Sequence, residues 1–238
     1  MKPRTWIASA NLAIDGIIYA VKTQRHMRCH LYAALIALVL GLTLNISRIE
    51  FILLCMAIVL VLVTELLNTA IETTVDMISE TFHPMAKNAK DVAAGVVLVA
   101  SIGALVLGYL ILYPALMSTL ARGRWHFRTV PHDIVSFVSL AVVIIIVIII
   151  KAILGKGEPL RGGMPSGHAA VSFSIWTTSF YLSGSVPIIL LTLVLATMVS
   201  WSRWSSGIHR ASEVIAGAML GSGITFLFFW IFTRTSAE

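Results

Sequence analysis

Charge is scarce in this sequence. Asp, Glu, Lys and Arg make up 12% of its 238 residues, whereas a soluble domain carries about 25%. With 58% hydrophobic residues and a mean hydropathy of +0.93, this shortage excludes an ordinary soluble domain and indicates that lipid is the solvent. Motifs for binding RNA or DNA are also missing, so the net charge of +6 points instead to anionic headgroups or phosphate-bearing substrates.

Cysteine is nearly absent as well. Cys29 and Cys55 are the only two, Cys55 lies in an apolar run, and their spacing fits neither a disulfide framework nor a metal site. We interpret both as structural. The N-terminus has two basic residues but no apolar stretch that ends in a cleavage site, so we expect no removable signal peptide.

Long apolar runs are abundant. A spanning helix needs about 20 apolar residues, and candidates lie at 30–47, 51–76, 92–117, 132–153, 168–184, 186–201 and 212–232. Segment 5–28 mixes apolar with basic residues and is typical of an amphipathic helix on the membrane surface. We therefore predict an all-α integral membrane protein with about seven transmembrane helices and an N-terminal amphipathic surface helix.

One polar break divides the chain. Segment 118–131, STLARGRWHFRTVP, is the longest polar interval between membrane segments that no motif explains. We expect a three-helix membrane domain over 1–118, a linker over 119–131 and a second membrane domain over 132–238.

A stripe of polar residues lies in the second apolar run. Glu65, Asn68, Glu72 and Asp76 share one helix face roughly 80° wide. Glu65 follows fourteen uncharged residues, and a carboxylate at such depth by default marks a functional site. The alternative, that these residues end the helix at the interface, suits Asp76 better than Glu65. Two carboxylates on one stripe offer a base and an oxygen ligand for Mg²⁺.

The stripe and the helix that follows resemble a known family. ELLNTAIETTVD (65–76) and AKNAKDVAAGVVLVA (86–100) are similar to the prokaryotic diacylglycerol kinase and undecaprenol kinase family, with a match over about residues 5–113. That family phosphorylates a lipid hydroxyl with Mg-ATP as a homotrimer in the bacterial inner membrane. The resemblance implies that Glu65 is the base, Asn68 orients the hydroxyl and Glu72 binds Mg²⁺. It also implies nucleotide contacts from Asp76, Lys90 and Asp91, although Lys90-Asp91 also fits an interfacial Lys beside a first-turn Asp.

The surface segment departs from the family. Where the family has a stretch resembling TERNMRIH, this sequence has TQRHMRCH, with Gln24 in place of Glu and His26 in place of Asn. The family's Glu is a metal ligand, and a neutral amide is a poorer ligand for Mg²⁺. The first half therefore has two interpretations, a lipid kinase that uses ATP and Mg²⁺, and a scaffold.

Polar residues of the second half concentrate at 151–170 and 202–213. Ser166, Gly167 and His168 lie where a loop enters a helix, and such an N-terminus favours a bound anion. Positive charge for phosphoryl transfer is available from Lys151, Lys156, Arg161 and Arg203.

Two histidines accompany these cations. His209 and Glu213 are four residues apart, so one helical turn can bring a carboxylate to one imidazole nitrogen and leave the other as a nucleophile. His168 is placed to protonate a leaving oxygen. A lone histidine at a helix end is more often structural, whereas two histidines beside four cations and an anion-binding helix start indicate a catalytic site.

These stretches resemble a second family. PSGH (165–168) and SR-x5-H-x3-E (202–213) are similar to the second and third signatures of the type 2 phosphatidic acid phosphatase family, over about 132–232. The resemblance implies a phosphohistidine on His209, proton donation by His168 and no requirement for a metal. It implies that the phosphate is held by Lys151, Ser166, Gly167 and Arg203.

Two positions depart from these signatures. The family's first signature, K-x6-R-P, aligned on Lys151, meets Glu158 where Arg belongs, and we expect Lys156 or Arg161 to replace the missing cation. Glu213 stands where the family has Asp, and a carboxylate there still allows the contact to His209.

These observations predict a multi-pass protein of the bacterial inner membrane that hydrolyses a lipid phosphate or diphosphate and is fused to a kinase-like domain. Phosphatidic acid, phosphatidylglycerophosphate and undecaprenyl diphosphate remain open as substrates. Alternatives are an ATP-dependent diacylglycerol or undecaprenol kinase and a non-catalytic membrane scaffold. We expect membrane lipids as partners, no nucleic acid, no cofactor for the phosphatase half, Mg²⁺ and ATP if the kinase half is active, and a trimer if the kinase resemblance extends to assembly.

Overall fold

The structure, a computed structural model, describes residues 6–44, 46–79, 81, 83–121, 130–154 and 163–233. These residues form helices and no strands. The helices are α1 (Trp6–Thr23), α2 (Arg25–Thr43), α3 (Arg48–Ile78), α4 (Pro84–Ala121), α5 (His132–Leu154), α6 (Gly167–Leu182), α7 (Val186–Ser205) and α8 (Ala211–Thr233).

The predicted all-α membrane fold is confirmed. Within the described ranges, six helices are long and apolar enough to cross a membrane, namely α2, α3, α4, α5, α7 and α8. The remaining predicted segment, 168–184, corresponds to α6, which has 16 residues. The predicted surface segment 5–28 is divided at Gln24, whose extended backbone (φ −98°, ψ 119°) separates α1 from α2.

The chain divides into two compact units. One consists of residues 23–126, and the other combines residues 1–22 with 127–238. Helix α1 is therefore grouped with the C-terminal half, whereas the sequence places it in a domain over 1–118. The domain boundaries and the linker at 119–131 stay predictions, and residues 122–129 of that linker lie outside the described part of the chain.

In the unit formed by residues 23–126, α3 packs along α4 and contacts α2. Helix α3 begins with a capping box, in which the Ser47 hydroxyl accepts from the Glu50 N–H at 3.3 Å and the Glu50 carboxylate accepts from the Ser47 N–H at 2.7 Å. From this cap the helix continues without interruption for 31 residues. The polar stripe from Glu65 to Asp76 consequently lies on one continuous helix.

In the other unit, α6 packs against α5, α7 and α8. The α6–α8 contact is close because glycines on α8 face the α6 backbone. A Cβ built on Gly217 would lie 2.3 Å from the Ser166 carbonyl oxygen, and one on Gly221 would lie 1.9 Å from that of Ala170. Small residues four apart allow such approach between membrane helices. A buried hydrogen bond of 2.7 Å between Ser174 and Thr225 hydroxyls joins the same pair of helices.

Replacing a glycine at this contact should destabilise the protein. We expect Gly221→Ala to lower the free energy of unfolding by about 1–3 kcal/mol, because overpacking forces the backbones apart. Gly223→Ala on the same helix is the matched control, since nothing lies within 4 Å of its Cβ position. Denaturant unfolding in detergent, followed by tryptophan fluorescence, measures the difference. Equal stability of the two variants would contradict the close contact.

Candidate functional site

His209 and Glu213 form an imidazole–carboxylate pair at the junction of α7 and α8. His209 is 4% exposed, and its Nδ1 lies 2.8 Å from Oε2 of Glu213 in the first turn of α8. Because an ionised carboxylate only accepts hydrogen bonds, Nδ1 carries the proton and Nε2 carries the lone pair. The structure thus makes the contact that the four-residue spacing predicts, while the catalytic role of both residues stays a prediction.

The backbone of this junction fixes the imidazole. Helix α7 ends at Ser205 and is followed by Gly207, whose positive φ (+68°) is a conformation that other residues rarely adopt. The His209 N–H then donates to the Arg203 carbonyl at 3.1 Å, which closes the turn. The Arg210 N–H donates to the Glu213 carboxylate at 3.3 Å, so the carboxylate is held from two directions.

Burial keeps the His209 ring neutral. Desolvation lowers the pKa of His209, and the charges of Lys151 and Arg203 act in the same direction. The hydrogen bond to Glu213 and its negative charge oppose this shift. The net effect favours the uncharged imidazole, which is the form that can act as a nucleophile.

The motif at the start of α6 contacts this pair through a backbone hydrogen bond. The Ser166 N–H, at the start of α6, donates to the Glu213 carbonyl at 2.9 Å. His168, in the first turn of α6, interacts electrostatically with Arg203, His209 and Lys151. Both histidines and two of the four predicted cations therefore lie in one site. The other two, Lys156 and Arg161, lie outside the described residues.

Three buried polar atoms in this site have no hydrogen-bond partner in the described part of the chain. They are the Ser166 hydroxyl oxygen, Arg203 Nε and His209 Nε2. A buried polar group left unsatisfied costs about 1–3 kcal/mol. A hydroxyl and a guanidinium donate to oxyanions, and a free imidazole nitrogen can attack an electrophile. Two of these atoms can therefore bind phosphoryl oxygens, and the third can attack a phosphorus atom. A cavity of about 400 Å³ lined by His209, Glu213 and neighbouring residues of the α7–α8 turn adjoins the pair.

Two amide side chains donate hydrogen bonds to a carboxylate in the polar stripe of α3. Glu65 and Asn68 are buried, at 3% and 8% exposure. Asn68 Nδ2 donates to Oε1 of Glu72 at 3.0 Å, and Gln24 Nε2 donates to Oε2 of the same carboxylate at 2.9 Å. Glu65 interacts electrostatically with Glu72 and with His26 on α2. The predicted base, amide and metal ligand are thus neighbours, with Gln24 added to them.

The three residues predicted to contact nucleotide lie together at the turn between α3 and α4. Asp76 pairs with Lys90, and Lys87 pairs with Asp91. All four line a polar cleft of about 460 Å³. The cleft brings Asp76, Lys90 and Asp91 together, and their contact with a nucleotide stays a prediction.

Magnesium does not fit at Glu72 in this arrangement. Both of its carboxylate oxygens accept hydrogen bonds from neutral amides, whereas Mg²⁺ requires oxygen ligands in near-octahedral geometry. In the described ranges, no group of three or more His, Cys, Asp or Glu side chains is arranged to hold a metal ion.

Two contacts join segments far apart in the sequence. Gln24 reaches Glu72 across 48 residues, and Asp15 on α1 interacts electrostatically with Lys151 on α5. One oxygen of Asp15 is also buried without a hydrogen-bond partner among the described residues. Neither spacing belongs to a local motif, and the kinase resemblance bears only on the first pair.

Two family models match separate parts of the chain. The model for prokaryotic diacylglycerol kinase matches residues 11–112, and the model for the PAP2 superfamily matches residues 153–237. No solved structure matches the chain.

Several curated relatives are similar to the N-terminal half. A diacylglycerol kinase of Synechocystis sp. is 35% identical over 125 residues, which cover 50% of this chain and 71% of the relative. An undecaprenol kinase of Bacillus subtilis is 42% identical over 101 residues, covering 42% and 82%. A diacylglycerol kinase of Escherichia coli is 32% identical over 107 residues, covering 45% and 88%.

Proposed function

Because the chain belongs to the prokaryotic diacylglycerol kinase family through its first half and matches the PAP2 superfamily in its second, we propose that it is a bacterial membrane enzyme that hydrolyses a lipid phosphate. The families support an enzyme acting on lipid phosphates. The observation that carries the choice of hydrolysis is the His209–Glu213 pair, with its buried and unpartnered Nε2 beside Arg203 and Ser166 in the described part of the chain. The proposed substrates are phosphatidic acid, phosphatidylglycerophosphate and undecaprenyl diphosphate.

The proposed reaction has two displacement steps. His209 Nε2 attacks phosphorus, the bond from phosphorus to the leaving oxygen breaks, and His168 gives that oxygen its proton. Water then attacks the phosphohistidine, His168 takes a proton from that water, and the phosphorus–nitrogen bond breaks to release phosphate. Glu213 holds the Nδ1 proton throughout and stabilises the cationic ring of the intermediate.

The phosphoryl oxygens require fixed donors. Arg203 and the Ser166 hydroxyl supply them, the N–H groups at the start of α6 add a partial positive charge, and Lys151 adds a full one. Lys156 and Arg161 are proposed to join this set, and Gly167 lets the backbone approach the phosphate. No step of this reaction needs a metal, so the proposed phosphatase half works without a cofactor.

Removing the proposed nucleophile should abolish phosphate release. We expect His209→Ala to lose activity by at least about 10³-fold, measured as phosphate released by the purified chain from a panel of lipid phosphates with EDTA. His132→Ala is the matched control, because His132 is an exposed histidine of the same unit that stacks on Phe229. Glu65→Ala should release phosphate like the wild type. Release that survives His209→Ala would overturn the proposed site.

The acid limb of the pH dependence should follow His209. Hydrolysis needs the neutral ring, so the rate falls as pH drops through the His209 pKa, which burial sets below the ordinary histidine value of about 6.5. Glu213→Gln removes a charge that raises this pKa, so we expect the acid limb of kcat/KM to move to lower pH. The plateau should fall by about 10²-fold or more, because an amide does not hold the reactive tautomer. An acid limb that moves to higher pH would contradict this.

A second candidate is a lipid kinase. Family membership favours it, and its relatives' names imply use of ATP and Mg²⁺ generally. We propose Glu65 as the base, with Asn68 beside it and Asp76, Lys90 and Asp91 at the nucleotide. The amides on Glu72 count against it. The test is ATP-dependent labelling of diacylglycerol and undecaprenol, and labelling that is lost in Glu65→Gln would establish the kinase. By analogy with the kinase family we also propose a homo-oligomer, a trimer.

A further inference from the structure

We propose that Gln24, Glu72 and Asn68 form an amide clamp that holds the Glu72 carboxylate in place of a divalent cation. In this arrangement the wild-type chain binds no Mg²⁺ through Glu72. The clamp lies within the unit formed by residues 23–126 and is independent of the phosphatase reaction.

The clamp gives each oxygen of the carboxylate one hydrogen bond. Each oxygen of Glu72 accepts one amide N–H, from Gln24 at 2.9 Å and from Asn68 at 3.0 Å, both ordinary hydrogen-bond lengths. The orientation of each amide follows from chemistry, because a carboxylate oxygen only accepts and would repel an amide oxygen turned towards it. Two neutral donors therefore stabilise the negative charge where a cation would otherwise do so.

The position of Gln24 in the chain favours its hydrogen bond to Glu72. It occupies the extended residue that precedes α2, yet its side chain makes no capping hydrogen bond to that helix. It reaches instead to α3, 48 residues further along. Asn68 is also placed to bind Glu72, because it is 8% exposed and lies one helical turn from that residue.

A cation cannot join this arrangement without breaking it. Mg²⁺ binds oxygen at about 2.0–2.1 Å, and the amide hydrogens occupy the side of the carboxylate that a metal shared with Gln24 or Asn68 would need. Turning either amide would place its oxygen towards the metal but would remove a hydrogen bond and supply only a neutral ligand. The clamp itself supplies one carboxylate and two neutral amides, a weaker set than the multiple anionic ligands that hold divalent ions.

The same geometry makes one substitution informative. Gln24→Glu is nearly isosteric and places a second carboxylate within hydrogen-bond distance of the Glu72 carboxylate. Two carboxylates so close cannot both ionise unless a proton or a cation lies between them. The substitution therefore converts the clamp into a divalent cation site built from the introduced carboxylate and that of Glu72, with no other change in the chain.

The test is Mn²⁺ binding to the full chain in detergent, measured by electron paramagnetic resonance of free Mn²⁺. We expect Gln24→Glu to bind one Mn²⁺ more per chain than the wild type, at least about tenfold more tightly than any wild-type site. Adding Glu72→Gln to that variant should remove the extra ion. Thr23→Glu is the matched control, because it adds the same charge one residue away at an exposed position, and it should bind as the wild type does.

Thermal unfolding supplies a second readout. A ligand that binds only the folded state raises its stability, so Mg²⁺ should raise the Tm of Gln24→Glu more than that of the wild type. If Gln24→Glu does not fold, Asn68→Asp places a carboxylate against the other oxygen of Glu72 and makes the same test.

Two results would overturn the proposal. One is Mn²⁺ binding by the wild type that disappears in Glu72→Gln, because Glu72 would then be a ligand despite the amides. The other is a folded Gln24→Glu chain that binds no additional Mn²⁺. Neither outcome depends on phosphate release with EDTA, so the clamp and the proposed phosphatase can fail separately.

Discussion

The proposed phosphatase site depends on how closely α6 approaches α8. Gly217 has no side chain, so the Ser166 carbonyl can lie where a Cβ would be. That approach lets the Ser166 N–H reach the Glu213 carbonyl at 2.9 Å. Glu213 is also the residue that holds His209. The start of α6, the first turn of α8 and the proposed nucleophile are therefore positioned by one helix–helix contact.

Two half-buried carboxylates in this chain, Glu213 and Glu72, accept hydrogen bonds from different kinds of donor, and the donor determines the chemistry that each can support. Glu213 accepts from an imidazole, whose second nitrogen gains nucleophilic character because the proton is held at the first. Glu72 accepts from two amides, which have no second reactive atom. The first arrangement transmits the negative charge to a reactive centre. The second stabilises the charge locally without a reactive partner, and the proposed functions of the two halves differ accordingly.

The sequence predicted those features that arise from local periodicity. Apolar runs predicted the membrane helices, and the pair His209 and Glu213 followed from a four-residue spacing. Helix ends were less accurate. Helix α2 begins at Arg25 and not near residue 30, because the extended backbone at Gln24 interrupts the helix just before it. Helix α3 begins at Arg48 because of its capping box, whose residues Ser47 and Glu50 were readable but outside the apolar run.

Contacts between distant segments could not be read from local sequence patterns, although the family resemblances grouped some of their residues. The Ser166–Glu213 hydrogen bond joins two motifs whose separation is fixed by α6 and α7, and no periodicity encodes which helices become neighbours. The same holds for Gln24 and Glu72. The sequence did identify Gln24 as a departure from the kinase family, but a departure predicts only what is lost. The amide clamp is visible only when the donor and the carboxylate are seen together.

The unsatisfied atoms of the phosphatase site have an energetic consequence for the proposed catalysis. Among the described residues, Ser166, Arg203 and His209 each keep a buried polar atom without a partner, at a cost that the packing of α6 against α8 must offset. In the proposed reaction, the Ser166 and Arg203 donors would need no reorganisation when charge develops on the phosphoryl oxygens, so they would stabilise the transition state more than the free substrate. In the proposed reaction, a bound phosphoryl group would satisfy the Ser166 and Arg203 donors, most fully where its negative charge is greatest. The close glycine contact between α6 and α8 therefore positions the start of α6 for the proposed reaction.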